Sequence, residues 1–476
     1  MLRKGVVAPM HRPFDFAQGR RAGLILISTL VAATLIAVAA AQAPSSPQGP
    51  GRSDPTFAQP SIAPGVDYTV PTEAEITQAL DRIREYFVRS TPYRLVDTAT
   101  GQPLGSATTP TRTAGIDLKQ GEFNDWTYSM GVVLAGMLHV TDVTGDKRFE
   151  DYTRKNFDFI FTNLDFFRRQ AKEFGPQPYG YRRLLEMREL DDCGAIGAAL
   201  IKTYKRTKDA RFKPVIDIVD DFVSRKMTRM PDRTLARTRP HPVSMWVDDM
   251  YMSIPFLAQM GDLTGDRKYF DDAALQVVQY ASRLMNPATG LFDHSWFAHE
   301  TADPKFYWGR GAGWAMMAMA ELLSVMPDSH PRRAEVLELF RRGAQGAAGV
   351  QSGTGFWHQI LDREDSYLES SATAMFTFAI ARGVNRGWLQ PVYAPIAQTG
   401  WRALEKRIRP DGTIEGTVVA TTAAYDAVYY FNRPTDPKAF QGFGATLMAG
   451  AEVLAMIRNF DIEKTLNTYH YRPKKR

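Results

Sequence analysis

The sequence predicts an all-α fold in which six helical hairpins close into a ring and gather their long loops on one rim. Three observations predict it. Beyond residue 71, apolar residues recur at spacings of three and four in about twelve segments, the pattern of amphipathic helices. Tight turns recur at a nearly constant interval, marked by Asp146, Asp209, Asp266, Asp328 and Gly387 at spacings of 63, 57, 62 and 59 residues. The connections alternate between short and long, so antiparallel helices would place all the long ones at a single end.

In chain order, the first element lies outside that ring. Arg20 and Arg21 precede an uninterrupted small and apolar run from Ala22 to Ala43 that ends in Ala41-Gln42-Ala43, the charge, apolar core and small-residue exit of a secretory signal. An uncleaved membrane anchor is the alternative, because about 20 apolar residues span a bilayer. Residues 44–70 are rich in Pro, Ser and Gly and lack apolar periodicity, as a linker does. The expected organisation is a signal peptide over 1–43, a disordered linker over 44–70 and one helical domain over 71–476, in an exported protein that meets a membrane only if the leader stays attached.

Helices are expected near 72–90, 125–141, 148–164, 189–205, 210–227, 247–260, 267–285, 310–325, 332–350, 367–385, 391–407 and 440–458. The first three tight turns are each followed by an aromatic (Phe149, Phe212, Tyr269) that can pin the outgoing helix, and these turns are read as purely structural. A period near sixty holding two helices and one turn gives five hairpins, and the first and last helices supply a sixth. Such hairpins suit an open solenoid or a closed toroid. The terminal helices carry apolar stripes (Ile76, Leu80, Ile83, Phe87; Leu447, Ala451, Leu454, Ile457) instead of polar caps, which favours closure. The long loops, near 91–124, 165–188, 228–246, 286–309, 351–366 and 408–439, form the candidate active face.

Composition narrows the function classes. With 44% hydrophobic and 23% charged residues in 476, the chain has the make-up of a globular protein with a sizeable core. The formal charge of +6 comes with no long basic block interleaved with aromatics, which argues against a nucleic-acid partner. Cys193 is the only cysteine, so neither an internal disulfide nor a cysteine-based metal site can form.

Unusual polar and aromatic clusters fall in or just after the long loops: Asn124-Asp125-Trp126-Thr127-Tyr128, Leu190-Asp191-Asp192-Cys193-Gly194, Trp246-Val247-Asp248-Asp249, Phe292-Asp293-His294, Trp308-Gly309-Arg310-Gly311-Ala312-Gly313-Trp314 and Gly355-Phe356-Trp357-His358. Aromatic faces stack on sugar rings, while carboxylates and an arginine manage protons and an anionic substrate. Each carboxylate also has a plain alternative as a helix cap. Doubled Asp at two consecutive hairpin starts suggests that one of each pair caps and the other faces a pocket. Arg310 has the alternative of tying down a loop through backbone carbonyls, His294 of a structural hydrogen bond, and Trp314 and Met252 of simple core packing.

These clusters resemble those of the unsaturated uronyl hydrolases, glycoside hydrolase families 88 and 105, especially the unsaturated rhamnogalacturonyl hydrolases of family 105. The resemblance runs from about Trp126 to Glu452 through WVDDMYMSIPFLAQMGDLTGDRKYFDDAALQ, GLFDHSW, WGRGAGW, GFWHQILDREDSYLESSATAMF and GFGATLMAGAEVLA. It implies an (α/α)6 barrel and a bacterial source. It also implies an oligosaccharide substrate with a 4,5-unsaturated uronic acid at its non-reducing end, whose double bond is hydrated without metal or organic cofactor. Carried over by position, Asp248 resembles the proton donor that also activates water, and Asp192 the second pocket carboxylate. His294 and Arg310 resemble polar substrate contacts, and Trp126, Tyr128, Trp314 and Trp357 aromatic walls. Burial beside Asp192 is expected to raise the pKa of Asp248. Ala312 departs from the family, which more often has Asn there. Two other readings stay open: another (α/α)6 glycosidase or polysaccharide lyase acting on a saturated linkage, and a non-catalytic carbohydrate-binding protein.

Overall fold

A computed structural model describes residues 66–105, 109–118, 123–239, 241, 243–300, 304–465 and 467–475. The chain divides into two units, Met1–Ser61 and Ile62–Arg476. The first, and with it the expected leader and the linker as far as residue 65, lies outside the described residues.

The second unit runs through α1 (Glu73–Ser90), α2 (Tyr128–Thr144), α3 (Lys147–Phe174), the short α4 (Arg182–Leu185), α5 (Gly194–Thr207), α6 (Lys213–Asp221), α7 (Asp249–Thr264) and α8 (Arg267–Leu284). It continues through α9 (Gly309–Val325), α10 (Arg333–Gly349), α11 (Ser370–Asn385), α12 (Ala394–Glu405), the short α13 (Ala427–Phe431) and α14 (Phe440–Asn459). Helices α2, α5, α7, α9, α11 and α14 pack each on the next, and α14 packs back on α2, so the inner ring is closed. The outer helices α3, α6, α8, α10 and α12 each follow their inner partner, and α1 packs against α14 as the outer member of the sixth pair. This is the (α/α)6 toroid that the repeat predicts.

The ring forms for local reasons that repeat. Inner helices are buried over most of their surface: α9 buries all but its last two residues. The outer α1 buries only one stripe, including Ile76, Leu80, Ile83 and Phe87, and starts on a Thr72–Glu75 capping box. In the turns after α2 and α7, Gly145 (φ 78°) and Gly265 (φ 71°) end the helix in the left-handed region, and Asp146 and Asp266 cap the next one by accepting backbone N–H bonds from Arg148 and Lys268. After α5 the left-handed residue is Lys208 (φ 56°), and Asp209 accepts the Arg211 backbone N–H within the turn that leads to α6. Close approach of inner helices depends on small residues: a Cβ at Gly194 would fall 1.6 Å from the Met252 carbonyl oxygen on α7.

Toward the turn end of the ring, a buried ion network joins the inner helices. Arg382 on α11 donates to Glu452 on α14 (2.7 Å) and Glu321 on α9 (3.1 Å). Lys202 on α5 also pairs with Glu321, and His139 on α2 with Glu452 (2.9 Å).

Three differences from the expected elements have physical causes. Helix α3 continues to Phe174, past the expected end near 164, because Leu164, Phe166, Phe167 and Gln170 keep burying its inner face. The long loops carry short antiparallel pairs: β1 (Leu95–Asp97) with β2 (Ala114–Ile116), β3 (Ser244–Trp246) with β4 (Ser295–Phe297), and β5 (Trp357–His358) with β6 (Leu368–Glu369). A C-terminal hairpin, β7 (Phe460–Thr465) with β8 (Thr468–Pro473), follows α14, and Tyr471 seals it by donating to Gln398 Oε1 at 2.5 Å.

Candidate active site

The long-loop rim encloses a cavity of about 800 Å³, lined among others by Asp191, Asp192, Trp246, Asp248, Trp308 and Arg310. Asp248 immediately precedes α7 and makes no capping bond with its side chain, which leaves the carboxylate to face the cavity. The β3–β4 pair continues into a bond from Val247 N–H to the His294 carbonyl (2.9 Å), and this register brings His294 Nε2 to 3.3 Å from Asp248 Oδ2. On the far side of the ring, His294 Nδ1 lies 2.7 Å from the Tyr430 hydroxyl. Trp308 packs on His294 with centroids 4.4 Å apart. Asp248 Oδ2, His294 Nε2 and Trp246 Nε1 are enclosed without an aligned hydrogen-bond partner in the protein, an unusual state for buried polar atoms and one that a bound hydroxyl or water relieves.

The other acid of each doublet, Asp191 in the first and Asp249 in the second, is engaged by Arg237. Its guanidinium donates to Asp249 through Nε (2.8 Å) and Nη2 (2.7 Å), to Asp191 (2.6 Å) and to Glu189 (3.0 Å), and it lies 4.4 Å over the Trp246 ring. Burial pushes the Asp249 carboxyl up to about 6 despite Arg237, and the charges of Asp191 and Asp248 add to the rise. Asp248 goes the other way. Burial raises it, but the contact with His294 and the charges of Arg237 and Arg310 outweigh burial and hold it below the ordinary carboxylate range. The expected elevation of Asp248 by Asp192 is thus not met. Asp192 is occupied with its own loop, accepting the Arg188 (2.9 Å) and Glu189 (3.3 Å) backbone N–H groups and lying 3.4 Å from Arg183.

Arg310 combines both of the roles left open for it. It lines the cavity and acts on Asp248 electrostatically, yet its guanidinium hydrogen-bonds the carbonyls of Val418 and Val419 (2.7 Å to the latter) and lies 4.7 Å over Trp308. It therefore holds the last long loop against the rim. Among the described residues, no group of three or more His, Cys, Asp or Glu is arranged to hold a metal ion.

The model of Glycosyl Hydrolase Family 88 matches residues 108–457. The chain belongs to this family. An unsaturated 3S-rhamnoglycuronyl hydrolase of Alteromonas is 29% identical over 44% of this chain and 51% of its own length. An unsaturated rhamnogalacturonyl hydrolase of Bacillus subtilis is 28% identical over 53% of this chain and 73% of its own. The chain therefore spans about half the length of the first of these curated relatives. A crystal structure described as a possible GH105 member from Salmonella enterica superposes with a TM-score of 0.66 at 21% identity, covering 85% of this chain and 98% of that one. That likeness establishes the shared toroid.

Of the residues predicted for this family 88 site, Tyr128, Asp192, Asp248 and Arg310 line the cavity, and His294 supports it from behind Asp248. Trp126 is fully buried beneath it and donates its indole N–H to the Asp192 carbonyl (2.7 Å). Trp314 is buried against Tyr251 (4.8 Å), so Trp126 and Trp314 are core residues and not the aromatic walls expected of them. Trp357 is a correction: it is wholly enclosed, donates to the Ala347 carbonyl (2.7 Å) and packs on Phe376, because its strand faces inward between α10 and α11. The aromatic walls are Trp246 and Trp308. Both sit in the quoted motifs, WVDD and WGRG, so adjacency to the acid and the arginine was the available signal. Arg237 and Tyr430 lie in stretches without periodicity and carried none.

Proposed function

We propose that this family 88 chain removes a 4,5-unsaturated uronic acid from the non-reducing end of lyase-generated oligosaccharides, by hydrating the C4=C5 bond. The observation that carries this reading is one cavity-facing acid, Asp248, backed by His294 and flanked by cationic and indole side chains. The names of the Alteromonas and Bacillus relatives support the same reaction class.

In this mechanism Asp248 gives its proton to C4, and water adds at C5 while returning a proton to the carboxylate. The product at C5 is a hemiketal. Its C5–O5 bond breaks to give a ketone, O5 becomes a hydroxyl on C1, and the resulting C1 hemiacetal collapses with loss of the remaining sugar. Asp248 is ionised in the free site. A bound uronate carboxylate brings a second negative charge and competes for Arg310 and Arg237, which raises Asp248 toward the protonated form when substrate is present. Asp192 and the indole walls orient the ring. Export, inferred from the run Ala22–Ala43, would place the enzyme where lyase products arise.

The test follows the ultraviolet band of the conjugated uronate with lyase-generated oligosaccharides. Loss of the band with wild type, and none with a folded Asp248→Asn variant, is the expected result. An unchanged band across pectin, ulvan and glycosaminoglycan fragments would remove this reading and leave a hydrolase of saturated glycans.

A further inference from the structure

The motif that begins at Gly355 puts no ring into the cavity, because Trp357 is turned inward, yet Gln359 two residues later lies at the centre of a network behind the site. Gln359 is fully buried and does not line the cavity. Its side-chain amide is engaged at both ends: the Trp308 indole Nε1–H donates to Oε1 (3.2 Å), and Nε2 donates to the Tyr430 carbonyl (3.2 Å). These partners fix which way the amide points, since an indole nitrogen only donates and a carbonyl only accepts. Both partners hold His294. Trp308 packs on the imidazole with centroids 4.4 Å apart, and the Tyr430 hydroxyl lies 2.7 Å from Nδ1, while Nε2 faces Asp248 Oδ2 at 3.3 Å.

The backbone around Gln359 is held independently of its side chain. Gly309 N–H donates to the Gln359 carbonyl and Gln359 N–H to the Tyr367 carbonyl, each at 2.8 Å. The start of α9 comes close to this strand: a Cβ on Gly309 would fall 2.7 Å from the His358 carbonyl oxygen. Trp308, Ile360, Val418 and Tyr430 form a small buried cluster apart from the barrel core, so the last long loop and the start of α9 meet along one apolar seam. A polar amide in such a seam costs free energy unless both of its ends are paired. What it adds over an apolar side chain is direction, because it sets the Trp308 ring and the Tyr430 backbone relative to each other.

We infer that Gln359 is a positioning residue for the reaction of Asp248: it holds Trp308 and Tyr430 in place, and these two clamp His294 with Nε2 toward the acid. Its side chain acts through the amide alone, since the backbone frame stands without it. The activity readouts below rest on the proposed uronyl reaction, whereas the readout on His294 itself does not.

The experiment compares wild type, Gln359→Met, Gln359→Glu and the double variant Gln359→Met/Tyr430→Phe, each shown to be folded by circular dichroism; Gln359→Glu carries the test if the methionine variant does not fold. The readouts are band loss against pH with lyase-generated oligosaccharides, and the His294 imidazole resonances of the free enzyme, assigned by comparison with His294→Gln. Gln359→Met should lower kcat roughly tenfold, displace the pH profile and move the His294 resonances. The double variant should lose less than the product of the two single losses, as residues acting through one group do. Gln359→Glu is the conservative change: when protonated its carboxyl offers the same acceptor and donor as the amide, and when ionised it has no donor for the Tyr430 carbonyl. Its turnover relative to wild type should therefore rise as pH is lowered, and that of Gln359→Met should not. A rise in KM alone, with kcat, pH profile and resonances as in wild type, would reduce Gln359 to a support for the Trp308 wall and overturn the inference, as would single losses that multiply. If wild type acts on no unsaturated uronate, the uronyl reaction falls and the resonances decide: moved by Gln359→Met they sustain the positioning role, unmoved they overturn it.

Discussion

Replacing Arg237 by Met keeps the aliphatic stem and removes the charge that Asp249, Asp191 and Glu189 share. Arg237 is 5% exposed and Asp249 fully enclosed, so the variant leaves a buried carboxylate without its cation, a change that costs about 3–5 kcal/mol. The cost depends on pH. Asp249 already titrates near 6 because of burial, and Arg237 is the largest influence pulling it down, so its removal raises Asp249 further. Between the unfolded value and the folded one, the native state holds a proton that the unfolded chain has released. Stability therefore falls as pH rises through that window, by about 1.4 kcal/mol per unit. For wild type the fall ends near 6, whereas for Arg237→Met it continues above 6. Urea unfolding followed by tryptophan fluorescence at pH 5 and pH 8 should show a markedly larger loss at pH 8, and Asp249→Asn added to the variant should restore most of it. An equal loss at both pH values, or one below about 1 kcal/mol, would refute the view that Asp249 is the group Arg237 neutralises.

Two other outcomes follow from the same structure. Tyr430→Phe removes the hydroxyl 2.7 Å from His294 Nδ1, the contact that orients the imidazole with Nε2 toward Asp248; kcat should fall roughly tenfold or more with little change in KM and a displaced pH profile, whereas a change in KM alone would contradict a positioning role. Glu321 is held at about 2 because the charges of Lys202 and Arg382 outweigh its burial, so its stabilising contribution is complete above the unfolded value of 4.5 and is lost as pH falls toward 2; it amounts to roughly 3 kcal/mol, and the acid limb of stability against pH should be shallower in Glu321→Gln.

The ring was legible because its causes are local and repeated. Helix periodicity, left-handed glycines at 145 and 265 and capping aspartates at 146 and 266 all act within a few residues, and each appears in the sequence as a pattern. The position of Asp248, Asp192 and Arg310 on one rim followed from loop alternation alone. The sequence did not disclose which rings reach the cavity. Trp357 and Trp308 both stand beside a long loop, and only the strand pairing of β5 with β6 turns Trp357 inward while Trp308 meets His294. Tyr430 and His294 are separated by 136 residues, and their contact depends on the last loop being held by Arg310. The C-terminal hairpin was hidden for a similar reason: its strands are mostly exposed and polar, and it is anchored through Tyr471 on α12.

The two Asp doublets acquire a common explanation from Arg237. Asp191 stands just before α5 and Asp249 opens α7, at the starts of neighbouring hairpins, and both spend their charge on this one guanidinium. The same cation is stacked on Trp246, which immediately precedes Val247 and Asp248. One buried arginine thus ties together the two backbones that carry Asp192 and Asp248. In the second doublet the labour is divided, Asp249 holding Arg237 and Asp248 being presented to the cavity, whereas in the first Asp191 lines the cavity while holding Arg237 and Asp192 accepts the backbone N–H groups of its own loop. Asp249→Asn or Asp191→Asn would disturb the geometry of an acid they never replace. Their effect on turnover should accordingly be partly recovered by osmolytes that favour the compact loop, in contrast to the complete loss expected for Asp248→Asn.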